Sequence, residues 1–425
     1  SDEASYTFDI REGNIAISAG TLNITLDNVN ISRADASPLS INGTVNLTLT
    51  GANYLTSGYN TGGYYPSAMP GLRVPPGATL EIIASSTGSL EVQGGTAEVG
   101  GGAGIGGASN YGSADSCGTV IINGGIVNAV GGNGGAGIGG GSLGFFNGWG
   151  GSSGPLTING GTVTATGNGG GAGIGGGNSW NGFGGDGGSV TINGGTVFAI
   201  GSSNYWGTGS GIGGGYGASA SGGYIGAAGT VTITGGSVYA SSIQAAVKNS
   251  DGNGVIQAPV SGLPANTGIS YTDNGGNPIS CATDPQGKIY LWLIPGTHVI
   301  GISAGAIQYS IVGILPDTAN YFEILPDDAN LTMVCNQAIS TTGGSGTIAD
   351  PYLALFSMPY SQAAVTVADL TLGNPYATAT LYTNSSFTTA TDSVSLTADA
   401  YTTVYIGITS QDGTARLYYT VSILR

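Results

Sequence analysis

Two phrases alternate four times between Gly102 and Ser242, and their spacing constrains the fold more than any other feature of this chain. One is strand-like: TVIINGGIV from Thr119, PLTINGGTV from Pro155, SVTINGGTV from Ser189 and TVTITGGSV from Thr230. The other is rich in glycine: GAGIGG from Gly102, GAGIGGG from Gly135 and from Gly171, and GSGIGGG from Gly209. The central isoleucines of the first phrase (Ile122, Ile158, Ile192, Ile233) lie 36, 34 and 41 residues apart, and those of the second (Ile105, Ile138, Ile174, Ile212) lie 33, 36 and 38 apart. Periods of that size mark stacked structural units.

Each repeat holds three strand-sized pieces: a TVTI piece, a TVTA piece after the NGG turn, and the AGI of the glycine phrase. Three short strands and three corners make one turn of a three-faced parallel β-helix, with one rung per repeat. The period-2 pattern then points Val120, Ile122, Ile138, Val163, Ile174, Val190, Ile192, Val231 and Ile233 inward. The glycines let corners turn tightly and let adjacent faces approach without a Cβ between them. Residues 1–60 continue the theme with short alternating runs such as Leu22, Ile24 and Leu26, and no segment there carries a helical period. Their imperfect rungs fit a cap on the solenoid end.

Past residue 250 the repeats stop, and DGNGVIQAPVSGLPAN (251–266) looks like a junction. The stretch that follows contains GNPIS (Gly276 to Ser280), DPQGK (Asp284 to Lys288) and LIPGTH (Leu293 to His298). It resembles the carboxypeptidase-regulatory-like and collagen-adhesin B-type repeats of bacterial surface proteins. GGSGTIADPY from Gly343 resembles the opening of Ig-like surface modules, and SQDGTARLYYTVSILR from Ser410 is similar to the closing hairpin of cadherin-like domains. Val404, Ile406 and Ile408 alternate there against Leu417, Tyr419, Val421 and Ile423 across the Asp412-Gly413 turn. The expected architecture is therefore all-β: a β-helix over 1–250, then two small β-sandwich modules over 251–318 and 319–425. Over 1–250 the alternation of INGGTVTATG with GAGIGGG resembles the glycine-rich β-helical surface proteins of bacteria and archaea. That likeness implies an extracellular, non-catalytic role.

Composition narrows the partners. Only 7% of residues are charged, and 23 acidic against 7 basic residues give a net charge of -16. Such a surface repels nucleic-acid phosphate and anionic membrane. No apolar run is long enough to span a bilayer. The chain begins at Ser1, as a processed secreted protein would, and its acidity and scarcity of lysine also suit secretion. Cys117, Cys281 and Cys335 form no metal-type pair, so they are either three buried thiols or include a Cys281–Cys335 bridge.

GAGIGG can be written as a dinucleotide fingerprint, but that site needs a following helix, and here the phrase recurs four times without one. Polysaccharide-cleaving enzymes also use β-helices, through carboxylate pairs or a carboxylate-bound cation beside a basic residue. From Gly100 to Val247 the acids are Asp115 and Asp186, two repeats apart, with no Lys, Arg or His near either in sequence. Catalysis is accordingly not expected. His298, the single histidine, falls within a strand and is expected to be structural. No cofactor is expected, although Asp284, Asp327, Asp328 and Asp350 supply carboxylates that suit Ca2+ without matching a defined loop. Asn-x-Ser/Thr sequons at Asn23, Asn30, Asn42, Asn46, Asn330 and Asn384 suit a glycosylating host.

The most informative residues are the aromatics in the loops: Tyr111, Phe145, Phe146, Trp149, Trp180, Phe183, Tyr216 and Tyr224, with Tyr205 and Trp206 at a different corner. Loops leaving one corner of a regular scaffold stack into a long surface. Their rings suit sugars or protein interfaces equally, or cover their own glycine backbone. Two roles follow: a structural subunit that assembles with itself into a filament, sheath or layer, or an adhesin that binds polysaccharide through the aromatic ridge.

Overall fold

The computed structural model describes residues 5–7, 15–17, 20–60, 67–97, 100–110, 112–144, 148–204, 207–219, 222–305, 307–315, 323–324, 331–338, 340–359, 361–372, 377–409 and 416–425. The chain divides into two compact units. The first comprises Ser1–Gly296, Gly301–Tyr309 and Leu315–Phe322, and the second Thr297–Ile300, Ser310–Ile314 and Glu323–Arg425.

Three parallel sheets wind around one apolar interior in the first unit. Among the described residues the first sheet has nine strands, including Thr119–Ile122, Leu156–Ile158, Ser189–Ile192 and Thr230–Ile233, and the second and third have seven each. Chain order runs from first sheet to third to second and back, one strand of each per repeat, so each repeat is one rung. Register is strict: Val120, Leu156, Val190 and Val231 are successive partners, as are Ile122, Ile158, Ile192 and Ile233. All the residues expected to face inward are at most 3% exposed. The early segments Ser5–Thr7 and Thr21–Asp27 join the first sheet and Ile15–Ile17 the second in parallel register, and the third sheet begins at Asn30–Arg33.

The glycine phrase supplies the second sheet itself. Ile138–Gly139, Ile174–Gly175 and Ile212–Gly213 are its strands, the isoleucine pointing in and the glycine out. Gly139 has φ 143°, and a Cβ there would collide with the carbonyl oxygen of Gly175. Glycine is obligatory because the loops fold back over this face. Asp115 N donates to Ala108 O, Gly141 N to Asp115 O, Gly151 N to Gly141 O, Gly177 N to Gly151 O and Gly185 N to Gly177 O, at 2.9–3.1 Å. This hydrogen-bonded zigzag joins one loop to the next with no side chain between them.

The stretch read as a junction carries a strand, Ile256–Val260, paired antiparallel with Ile289–Leu293. Its Pro259 is tolerated because no second strand borders it, and Ala258 and Val260 point into the core. These residues pack on the last rung of the third sheet, Ser237–Ala240. Trp292 Nε1 and Gln257 Nε2 both donate to Val238 O, at 2.9 and 3.1 Å, and Tyr271 Oη donates to Gly236 O at 3.2 Å.

In the second unit, Tyr352–Ser357, Arg416–Leu424, Tyr401–Thr409, Thr378–Tyr382 and Ala390–Thr391 form a five-stranded sheet in that order. Val404 pairs with Val421, Ile406 with Tyr419 and Ile408 with Leu417, the antiparallel pair expected from their alternation. The Asp412-Gly413 turn between them lies outside the described residues. The inner face of this sheet shares a core with Leu331, Val334 and Val365. No helix among the described residues is long and apolar enough to cross a membrane.

Candidate functional site: an aromatic ridge and a charged pocket

The loops between the second and first sheets stack on one another and add an outer ladder to the solenoid. Leu143 bridges Ser179, which bridges Gly217; Trp149 bridges Phe183, which bridges Tyr224, all in parallel sense. The outer ladder places one aromatic per rung at the loop crest. Trp149 and Phe183 have ring centroids 6.1 Å apart at an interplanar angle of 19°, and Phe183 and Tyr224 lie 4.7 Å apart at 39°. Two rings so close cannot lie side by side in one plane, so Phe183 and Tyr224 cover part of each other's faces. Trp149 is 61% exposed, Phe183 45% and Tyr224 41%, and Ile225 beside them is 50% exposed.

The other aromatics behave differently. Trp180 is half-buried, its backbone N–H donating to Leu143 O, and the half-buried Tyr216 ring lies against Gly207, covering glycine backbone. Tyr111, Phe145, Phe146, Tyr205 and Trp206 lie outside the described residues.

A second constellation was not visible in the sequence. Arg73, separated from Asp115 by 42 positions, is its ion-pair partner at 3.1 Å, and Asn110 donates to the other oxygen of the same carboxylate at 2.6 Å. The sequence shows no basic residue near Asp115, but one rung of register brings one there: Arg73 pairs with Gly106, at the root of the loop that carries Asp115. The signal existed in the repeat spacing, had the register been carried back into the irregular rungs. A second ion pair, Arg33 with Asp35 at 3.1 Å, lies at the preceding turns. Asp35, Ser37, Arg73, Asn110 and Asp115 line a pocket of about 360 Å³. A shallower cleft of about 470 Å³ runs between the NGG turns at Asn159 and Asn193 and residues 278–282.

Asp284, a candidate calcium ligand, is buried and already engaged: its carboxylate accepts from Gln286 N, Lys288 N and Tyr290 Oη at 2.8–3.0 Å. Asp327 and Asp328 lie outside the described residues, and among those described no three His, Cys, Asp or Glu side chains gather as metal ligands. His298 is buried. The three cysteines are free thiols; Cys117 and Cys281 are buried as expected of the unbridged arrangement, and Cys335 is half-buried. Burial pushes Cys117 and Cys281 up to about 12 and Cys335 to about 11, the last helped by the Asp369 charge, so none is a ready nucleophile.

A β-helix repeat model fits residues 120–142, 156–178 and 190–216, three of the rungs whose loops build the ridge. Comparison with curated proteins finds no match. The matched segments are scaffold, and the solenoid they specify is that of a surface, structural or binding protein.

Proposed function

We propose that this chain is a non-catalytic extracellular structural protein that associates with further copies of itself through the aromatic ridge of the solenoid, building a filament, sheath or layer. The observation that carries the reading is the Trp149, Phe183 and Tyr224 column. It is a continuous file of three exposed rings with Ile225 beside it, and such contiguous apolar stripes mark contact sites. Phe183 and Tyr224 cover part of each other's faces, which leaves less open ring face to platform a sugar and suits packing against another apolar surface. The very low charge, 7% of residues, leaves few groups to be desolvated when such faces meet.

Trp149 supports the alternative reading, an adhesin that binds polysaccharide. It is the most exposed ring and caps one end of the column, so one of its faces has no described ring upon it. Sedimentation velocity and electron microscopy over a range of protein concentrations decide between them. Self-assembly predicts concentration-dependent oligomers that Trp149→Ala combined with Phe183→Ala converts to monomers. Monomers of the unaltered chain at every concentration and salt, together with retention on a polysaccharide column, would favour the adhesin.

A further inference from the structure

We propose that the pocket around Arg73 and Asp115 is a binding site for a neutral saccharide unit, separate from the aromatic ridge. The pocket exists because coverage of the second sheet begins abruptly. At the outward position of that sheet the rungs carry Ser40, Arg73, Gly106, Gly139, Gly175 and Gly213 in register. From Gly106 onward a folded-back loop lies on the face and only glycine fits. Before it, Ser40 and Arg73 have side chains, and the first covering loop, with Asn110 and Asp115, stands beside them as a wall. The opposite wall is the turn that carries Asp35 and Ser37. The result is a step in the solenoid surface at the low end of the usual size of small-molecule sites, about 300–1,000 Å³.

Its chemistry selects the ligand class. Of the charged groups in the lining, Arg73 is matched by Asp115, and Asp35 is matched by Arg33, which lies just outside the lining, so the pocket and its ion-pair partners together carry no net charge to attract an ion of either sign. What it offers is a dense set of fixed donors and acceptors: guanidinium and amide N–H groups, carboxylate oxygens and hydroxyls, with the thioether of Met69 as an apolar surface. A sugar hydroxyl both donates and accepts, and adjacent hydroxyls match an Arg and Asp pair held side by side. The carboxylate of Asp115 is already positioned by Arg73 and Asn110, so a ligand finds it preorganised.

The test uses the full chain on an array of neutral and acidic glycans, with calorimetry on the hits in low and high salt. We expect a neutral glycan to bind, the affinity to be nearly independent of salt, and Arg73→Ala and Asn110→Ala each to weaken it by about tenfold or more. Trp149→Ala should leave this binding unchanged, which separates the pocket from the ridge whatever sedimentation shows about self-association. Thermal melts verify that the variants are folded; Asn110 belongs to the loop wall, so its variant still reports if Arg73→Ala unfolds. Absence of any neutral-glycan binding, binding that survives both variants, or binding only of acidic glycans that high salt releases would overturn the proposal.

Discussion

The Cys117 thiol sits among the side chains that fill the solenoid, and burial raises its pKa from 9.0 to about 12, against a smaller lowering by a backbone hydrogen bond from Gly154. Cys281 rises to about 12 for the same reason, and the buried Tyr271 phenol, 3% exposed, is raised as well. Each group is an acid whose folded form holds its proton longer than the unfolded chain does. The unfolded state therefore binds fewer protons at alkaline pH, and stability falls there. The contribution is fully present below about pH 9 and is lost progressively as pH climbs towards 12. For Cys117 the gap from 9.0 to about 12 amounts to at most about 4 kcal/mol. Chemical denaturation as a function of pH should show constant stability through neutrality and a decline above pH 9. Cys117→Ala should flatten part of that decline while lowering the neutral plateau by about 1–2 kcal/mol for the space it leaves. An unaltered slope in that variant would mean that the thiol is open to solvent.

At the scale of the element, the NGG turns carry a file of side chains running along the solenoid. Thr234 Oγ1 donates to Asn193 Oδ1, Asn193 Nδ2 to Asn159 Oδ1, Asn159 Nδ2 to Asn123 Oδ1, and Asn123 Nδ2 to Glu81 Oε1, at 2.7–2.8 Å. These bonds are exposed for the most part, so water competes for them. Asn53, by contrast, is fully buried: its Oδ1 accepts from Val29 N, and its Nδ2 donates to Thr50 O and Ser89 O. Asn159→Ala should therefore cost about 1 kcal/mol, whereas Asn53→Ala, which removes three bonds from a fully buried side chain and strands the buried Val29 N, should cost about 2–3 kcal/mol. Thermal melts of the two variants check the ordering, and equal losses would refute it. The turn asparagines recur at a fixed place in the INGG phrase, so their alignment follows from the period alone. Asn53 lies in an irregular rung and has no such signature. The same contrast explains why the inward Val and Ile columns were legible and Arg73 beside Asp115 was not. The first is repeated four times in sequence, while the second is made once, where a regular rung meets an irregular one.

For the molecule as a whole, the question is how a stack of parallel strands ends without offering its edge to another chain. The sequence pointed to the N-terminal rungs for this role at one end, where Ser5–Thr7 and Ile15–Ile17 are the terminal strands of the first and second sheets. At the other end of the third sheet, the chain after residue 250 covers strand Ser237–Ala240 with side chains rather than with another ladder strand. Trp292 and Gln257 take the carbonyl of Val238, Ser237 Oγ accepts from Tyr290 N at 3.0 Å, and the Tyr239 and Tyr290 rings meet at 5.1 Å. None of this was readable from composition, because the repeats that define the register have stopped by then. Trp292 joins a hydrogen bond to apolar packing against the solenoid core, so it should be the main fastener of this end. Trp292→Ala is expected to speed amide exchange across residues 237–240 by about tenfold or more, in line with a loss of about 1.5–3 kcal/mol of local stability. Rungs further from the end, such as Thr162–Thr166, should keep their protection, since both neighbouring strands remain paired. Trp292→Phe, which keeps most of the packing and loses the bond to Val238 O, should fall between the two. If exchange at 237–240 were the same in all three proteins, the edge would be held by the Ile256–Val260 backbone and its neighbours, and the side chains would be incidental.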